Sequence, residues 1–495
     1  MGGVHAPYSM PYRDNGKQDH ETLSIHRTAH RRRYWLMTQK ACFQKENSDL
    51  IEKYSTSFVP ENERHGHVRD LFTLWFTTNI APLPIVTGAA LFARSHLSLF
   101  WCATAIISGH FLGALVLGAC SAQGPRMGLA QMVQARGQFG RYGSIIITLI
   151  ASVLYFGFFT SNTVLAGAAL HDVAPVFDIR TTTIVGALCA VGIGILGYKT
   201  IHLLNRCGIW FMMSALALAF LLIFRQAPPS IWQIGSFNTW GWFLTFSTSL
   251  VWNTSYSCYT SDYSRYLPAS VGIARPFAMS FFGAALGASL TFIFGAFVSA
   301  TEPTIADPLH ALSVLSGPLS RPLLLLFVLN IISHNALNAY GASLSIITLI
   351  QTFFAKWSPK RLARIAISSS LLITGLVLSL IFTTTVVPVF LNIVFALLIV
   401  LVPWVTINIS DFYLFRKGNY DIGSFFKSNG GIYGLVNFPA VVAFLVGVAV
   451  QLPFATNAFF SGPFCGVFSS IDIGWIISPP VTILSFFLLR QKILW

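Results

Sequence analysis

Trp75-Phe76-Thr77-Thr78-Asn79-Ile80-Ala81-Pro82-Leu83-Pro84-Ile85-Val86-Thr87-Gly88 is the stretch on which the fold turns. It lies inside an apolar run over residues 71–93, and a helix of ~20 such residues crosses a bilayer. Two prolines stand at i and i+2. Each removes a backbone donor and disturbs the turn before it. The freed carbonyls fall near residues 78–81, at the middle of the run. In hydrocarbon they must be met by protein or line a cavity. The stretch therefore reads in one of two ways. It is a proline kink of the kind common in membrane helices, or it is an interrupted helix whose ends and carbonyls point at a ligand.

Outward from this stretch the apolar pattern repeats. Runs fall at 71–93, 97–119, 144–170, 182–199, 206–225, 240–261, 277–301, 322–352, 365–385, 387–409, 433–452 and 472–490. The chain has 495 residues, 54% apolar and 10% charged, with a mean hydropathy of +0.66. That is too little charge to wet a soluble surface. The expectation is an all-α integral membrane protein of about twelve transmembrane helices, the first and sixth interrupted. Two interrupted runs five apart match a five-plus-five inverted repeat. The expected division is a disordered basic cytoplasmic tail over 1–50, a ten-helix core over 51–425, and two additional helices over 426–495. The tail carries His30-Arg31-Arg32-Arg33, and Met37 stands beside Met1 as a candidate start.

The net charge of +14 does not point to nucleic acid, because of where the charge lies. Eleven of the 31 Lys and Arg precede residue 71, and the others sit almost wholly in short loops. With the N-terminus inside, the inner loops carry fourteen of them, Arg136, Arg141, Arg265 and Arg416 included. The outer loops carry four: Arg94, Arg180, Arg225 and Arg321. Basic residues gather on the cytoplasmic side. Both termini are thus expected in the cytoplasm, and the protein in the plasma (inner) membrane. The seven Cys show no CxxC spacing, so neither a disulfide framework nor a zinc site is indicated. No Gly-rich phosphate loop with Lys is present, which disfavours a primary pump.

Of the 17 acidic residues, nine precede residue 71 and six lie in or beside loops. Asp262 and Asp411 stand near the cytoplasmic ends of the sixth and tenth runs. No carboxylate is expected at mid-membrane. This speaks against a cationic solute, a central carboxylate relay and an intramembrane enzyme. A neutral, planar, hydrogen-bonding solute fits better.

Polar side chains do reach that depth. The sixth run holds Trp252-Asn253-Thr254-Ser255-Tyr256, too dense in polar groups for helix-to-helix glue alone, which favours a cavity. In the eighth, Asn330, Ser333 or His334, and Asn338 recur at three- and four-residue spacing on one face. A carboxamide both donates and accepts, although interhelical bonding explains any single Asn equally well. His334 is a structural donor or a proton carrier. The third run holds Tyr155-Phe156-Gly157-Phe158-Phe159, whose rings either clamp a flat solute or face lipid.

Four motifs carry a resemblance. They are Trp75-Phe76 through Asn79 with Thr87-Gly88; Gly124-Pro125-Arg126-x-Gly128, Gln131-Met132-Val133 and Arg136-x-x-Phe139-Gly140; Asp262-Tyr263-Ser264-Arg265-Tyr266; and Pro403, Asp411-Phe412-Tyr413, Arg416-Lys417-Gly418-x-Tyr420. With them the chain resembles the nucleobase–cation symporters, in the purine–cytosine permease branch, over about residues 50–490. The resemblance implies twelve helices, alternating access, and a substrate site between the first, third, sixth and eighth spans. It puts the stacking aromatic at Tyr155, beside Phe156, and its polar partner at Phe159. The first- and sixth-span lining falls at Asn79, Trp252, Asn253 and Ser255, and the eighth-span amide at Asn335 or Asn338. A coupling cation, H+ or Na+, is implied at Ala81, Asn330, Ser333 and His334. His334 replaces a hydroxyl there, which leans toward the proton because a hard cation prefers oxygen ligands.

The expected function is a secondary transporter importing a nucleobase or similar neutral ring, without an organic cofactor. A substrate-sensing receptor of the same fold is the alternative. The bilayer and the small solute are the expected partners, with no nucleic acid and no obligate protein partner.

Overall fold

The computed structural model describes residues 54–196, 198–359, 361–381, 386–457, 459–468 and 471–493. The tail over 1–50 and the choice between Met1 and Met37 lie outside the described residues.

The helices follow in chain order. First come α1 (Val68–Asn79), α2 (Pro82–Ser95), α3 (Leu99–Ser121), α4 (Gln123–Met127), α5 (Gln131–Phe139) and α6 (Ser144–Val173). Next are α7 (Ile179–Leu196), α8 (Tyr198–Phe224), α9 (Thr239–Ser255), α10 (Thr260–Ser264), α11 (Ala274–Thr301) and α12 (Pro308–Ser316). Last are α13 (Ser320–Phe353), α14 (Arg361–Ile381), α15 (Val386–Ser410), α16 (Phe438–Ala449) and α17 (Gly474–Ile493). Helix thus lies on each of the twelve apolar runs. Among the described residues, six helical stretches are long and apolar enough to cross a bilayer, and the bent pair α1–α2 makes a seventh. The outer faces of the helices carry exposed Leu149, Val153, Phe211, Leu221 and Leu488, surface that only lipid tolerates at this density. The chain is an all-helical, multi-pass membrane protein.

The first run is interrupted rather than kinked. Ile80 (φ −89°, ψ 74°) and Ala81 (φ −141°, ψ 161°) leave the helix, and α2 departs from α1 by 56°. Pro82 and Pro84 fall in the first turn of α2, where backbone donors have no intrahelical partner in any case. The prolines start a helix here instead of bending one. The sixth run breaks too. One 3-10 turn over Tyr256–Cys258 follows α9, and Tyr259 (φ −135°, ψ 6°) precedes α10. Gln131 of α5 holds that second start: its Oε1 accepts from Ser261 N and Thr260 Oγ, both at 3.1 Å.

Glycines let backbones touch. On α11, Gly283 and Gly287 face the carbonyls of Phe72 and Phe76, and Gly295 faces that of Ile85. Gly88 on α2 faces the Phe292 carbonyl in return. Gly109 and Gly113 on α3 meet the carbonyls of Phe246 and Leu250 on α9. Small residues at such crossings replace the hydrophobic drive that lipid removes. A Cβ at Gly88 would overlap the Phe292 carbonyl, which cannot swing aside. Gly88→Ala is therefore expected to cost about 1–3 kcal/mol, read as a lower Tm of the purified protein. An unchanged Tm would show that the helices part without strain.

Residues 123–139 correct the loop expected between the second and third runs. They form α4 and α5, almost wholly buried. Arg136 and Arg141, expected as loop cations, are each only 3% exposed. Arg136 Nη2 donates to Thr348 O at 2.9 Å, and Arg141 donates through Nε to Thr352 O at 3.0 Å and through Nη2 to Gln351 O at 2.5 Å. Both guanidiniums hold the C-terminal turns of α13: Arg141 caps last-turn carbonyls that lack helical partners and carry the negative end of the dipole, and Arg136 grips the turn before them. α12, between the seventh and eighth runs, is a third helix outside the apolar runs.

After α15 the chain makes a π-turn over Asp411–Phe415. Asp411 is fully buried. Its carboxylate accepts from Arg416 Nε at 2.9 Å, Tyr420 Oη at 2.7 Å and Arg490 Nη1 at 2.9 Å. The last contact ties α17 to α15.

Candidate functional site

The two interrupted runs meet through a hydrogen-bonded pair. Asn79 Nδ2 donates to Trp75 O at 2.7 Å, closing the last turn of α1. Its Oδ1 accepts from Trp252 Nε1 at 2.9 Å. Asn79 and Trp252 thus brace the break in α1–α2 against α9.

Beside this brace lies an aromatic cluster drawn from four helices. Phe158 of α6 stacks on Tyr256, centroids 5.5 Å apart at 16°, and meets Trp252 edge-on at 5.6 Å. Trp75 of α1 lies 5.7 Å from Tyr256 and 6.1 Å from Tyr259. His334 of α13 lies 6.4 Å from Phe158 and 6.2 Å from Tyr256. Many polar atoms in and around this cluster are buried without a hydrogen-bond partner among the described residues. They include Trp75 Nε1, Tyr256 Oη, Tyr259 Oη, Ser333 Oγ, both ring nitrogens of His334, and both amide atoms of Asn162 and of Asn338. A buried polar atom without a partner costs about 1–3 kcal/mol, so native cores hold few of them.

The carbonyls at the first break are taken up differently. Asn330 Nδ2 donates to Thr77 O at 2.9 Å and also to Ile80 O, at a shorter approach. The Ala81 carbonyl accepts from Ile85 N within α2, at 3.4 Å. His334 faces the Thr78 carbonyl without hydrogen-bond geometry.

Residues 58–478 match the family described as permeases for cytosine and purines, uracil, thiamine and allantoin. The chain belongs to this family. The permease is 32% identical to YxlA of Bacillus subtilis, which bears a provisional purine-cytosine permease name, over 444 residues: 89% of the permease and 96% of YxlA. It is a transporter, not an enzyme. Its fold is that of Mhp1, a nucleobase-cation-symport-1 family transporter. The closed conformation of Mhp1 with bromovinylhydantoin bound matches with a TM-score of 0.73 at 16% identity, covering 90% of the permease and 96% of that chain. The inward-facing conformation gives 0.66 at 17% identity, with the same coverage.

Several expected site residues of the permease are engaged elsewhere. Tyr155 donates its hydroxyl to Asp262 Oδ2 at 3.1 Å, and its ring packs on Tyr259 at 4.5 Å and against Gly341. It anchors α6 to α10 and α13. Phe156 is half-buried. Phe159 packs into a separate apolar cluster with Leu324, Val328 and Leu372, its ring over Gly375. Asn335 donates to Phe159 O at 3.2 Å and Thr163 Oγ at 3.0 Å, which makes it a link between α13 and α6. Ser255 bonds back to Trp252 O at 2.7 Å. Asn253 donates to His110 O of α3 at 3.0 Å, and its Oδ1 has no partner among the described residues.

Phe158 and Tyr256, read from the sequence only as members of the aromatic and polar stretches, and Asn162 and Tyr259, not singled out at all, join the candidate site here. The signal lay in spacing: Asn162 follows Phe158 by four residues, the same aromatic-then-polar step expected at Tyr155 and Phe159. Sequence reasoning missed how far Asp262 is buried. The carboxylate is 2% exposed, caps α5 through Gln131 N at 2.8 Å, and reaches the aromatic cluster through Tyr155. A cavity of about 260 Å3 lies away from this site, lined by Arg94, Trp240, Asn392, Asn457 and Asp472 among others. The partnerless atoms, not this cavity, mark the candidate site.

Proposed function

We propose that the permease imports a neutral, planar, nucleobase-like ring of the cytosine and purine class together with a cation, by alternating access. The observation that carries this reading is the buried aromatic cluster with its partnerless polar atoms. Phe158, Trp75 and Tyr256 offer faces, while Asn162, Asn338, Ser333 and His334 offer donors and acceptors along an edge. A solute with both edges and a flat face would satisfy them together. The names of the relatives support the class: YxlA is named for purine and cytosine, and the Mhp1 structure holds a hydantoin, another flat ring with adjacent donors and acceptors.

We read twelve membrane-spanning helices in the plasma membrane, both termini cytoplasmic, with a five-plus-five inverted repeat over 51–425. The helices α16 and α17 in 426–495 are additions to it. The cavity at Arg94 and Asp472 then lies on the outer side, as an approach to the site. Lipid and the small solute are its partners.

For the coupling cation we favour the proton. A sodium ion takes several oxygen ligands. At the first break two of the carbonyls already accept from Asn330, and His334 offers nitrogen where a hydroxyl would serve. The residues do not fit sodium.

Uptake of labelled nucleobases into cells lacking their own permeases tests the function. One of them should accumulate, and Asn338→Ala should reduce that uptake several-fold with protein still at the membrane. Binding without accumulation would favour the receptor. If no nucleobase binds or accumulates, the substrate class is overturned.

A further inference from the structure

We propose that the side-chain amide of Asn330 stands permanently where a coupling cation would tie the broken first helix to α13, so that this tie forms without sodium. The inference deepens the reading of the chain as a cation-coupled carrier and rests on it.

The break frees backbone carbonyls that hydrocarbon cannot satisfy. In discontinuous transporter helices such carbonyls are where cations are held. Here the carbonyl of Ile80 and, three residues earlier, that of Thr77, which also accepts from Ile80 N at 3.1 Å, both accept from one nitrogen, Asn330 Nδ2. A carboxamide nitrogen has two N–H donors and no acceptor, so both donors are spent on the break. The electropositive hydrogens sit between the two oxygens, as a small cation would. They come from the helix that a cation would join to α1.

The amide's orientation follows from this network. Turned over, Oδ1 would face two carbonyl oxygens with nothing between them, an arrangement only a cation could hold. Asn330 would then be a ligand instead of a substitute. The neighbouring groups do not favour that state. Ser333 contributes one hydroxyl, and His334 presents nitrogen to the Thr78 carbonyl.

The test is thermal unfolding of the purified full-length protein in sodium chloride against choline chloride and potassium chloride, at equal ionic strength and pH. It needs no transported solute, so its outcome is independent of the nucleobase panel. The wild type is expected to unfold at the same temperature in all three salts. Asn330→Ala should unfold earlier in all three. Asn330→Asp keeps the shape but puts an anionic oxygen against the carbonyls. It should lose stability in choline and regain a few degrees in sodium, saturating with concentration as site binding does. A saturable, sodium-specific rise in the wild type would overturn the proposal, because Asn330 would then ligate the ion. An Asn330→Asp protein indifferent to sodium would also overturn it, since the place would not be one a cation takes. If Asn330→Ala does not fold, the Asp variant expressed and purified in sodium decides alone.

Discussion

Replacing Phe158 with Ala is expected to weaken binding of the transported ring roughly 5- to 150-fold. Stacking on an aromatic side chain is worth about 1–3 kcal/mol per base, and each 1.4 kcal/mol is about tenfold in affinity. Phe158 is the ring at the meeting point, against Tyr256, Trp252 and His334. Tyr155 supplies the contrast. Its hydroxyl is bound to Asp262 and its ring to Tyr259, so Tyr155→Phe should leave affinity unchanged while lowering Tm. Equilibrium binding of the solute identified by the uptake panel, to purified variants, separates the two. If Phe158→Ala keeps its affinity while Tyr155→Ala, which unlike Tyr155→Phe removes the aromatic face, loses it, the stacking residue has been misassigned by three positions.

The second large effect concerns stability. Asp411→Ala leaves Arg416 and Arg490 facing one another with no carboxylate between them. Breaking a buried ion pair from one side costs about 3–5 kcal/mol. The two arginine side chains are 20% and 30% exposed, and each also lies over an aromatic ring. Both facts relieve part of the loss, which places the expectation at the lower end, about 3 kcal/mol. It would appear as a marked fall in Tm and in the yield of monodisperse protein. Replacing all three charges with apolar residues of similar volume should recover much of that stability. If Asp411→Ala is neutral, the cluster does not hold α17 to α15.

The break in the first helix was legible because it depends on local chemistry. Pro82 and Pro84 remove donors wherever the helix lies, and Asn79 marks the end that needs a cap. The polar face of α13 was legible for the same reason, since three- and four-residue spacing needs no neighbour to interpret it. The rotation of α6 was not. That helix is apolar all round, because one side meets lipid and the other meets protein, so no amphipathic pattern says which ring turns inward. Tyr155, Phe158 and Phe159 are equivalent until α10, α13 and α14 are in place. The caps made by Arg136 and Arg141 were hidden too, because their partners lie more than 200 residues along the chain.

The glycine contacts carry a mechanical consequence. Backbone resting on backbone, with Gly118 of α3 against the Phe277 carbonyl of α11 as well, leaves few side chains to repack, so α1, α2, α3, α9 and α11 form one tightly joined casting. Phe158 and His334 belong to the other part, where α13 lies along α6. Any opening of the carrier must then shear along the face between these two parts. Phe158 of the second part meets Tyr256 and Trp252 of the first across that face, so a cargo held at the proposed site would be the key that registers one casting against its neighbour.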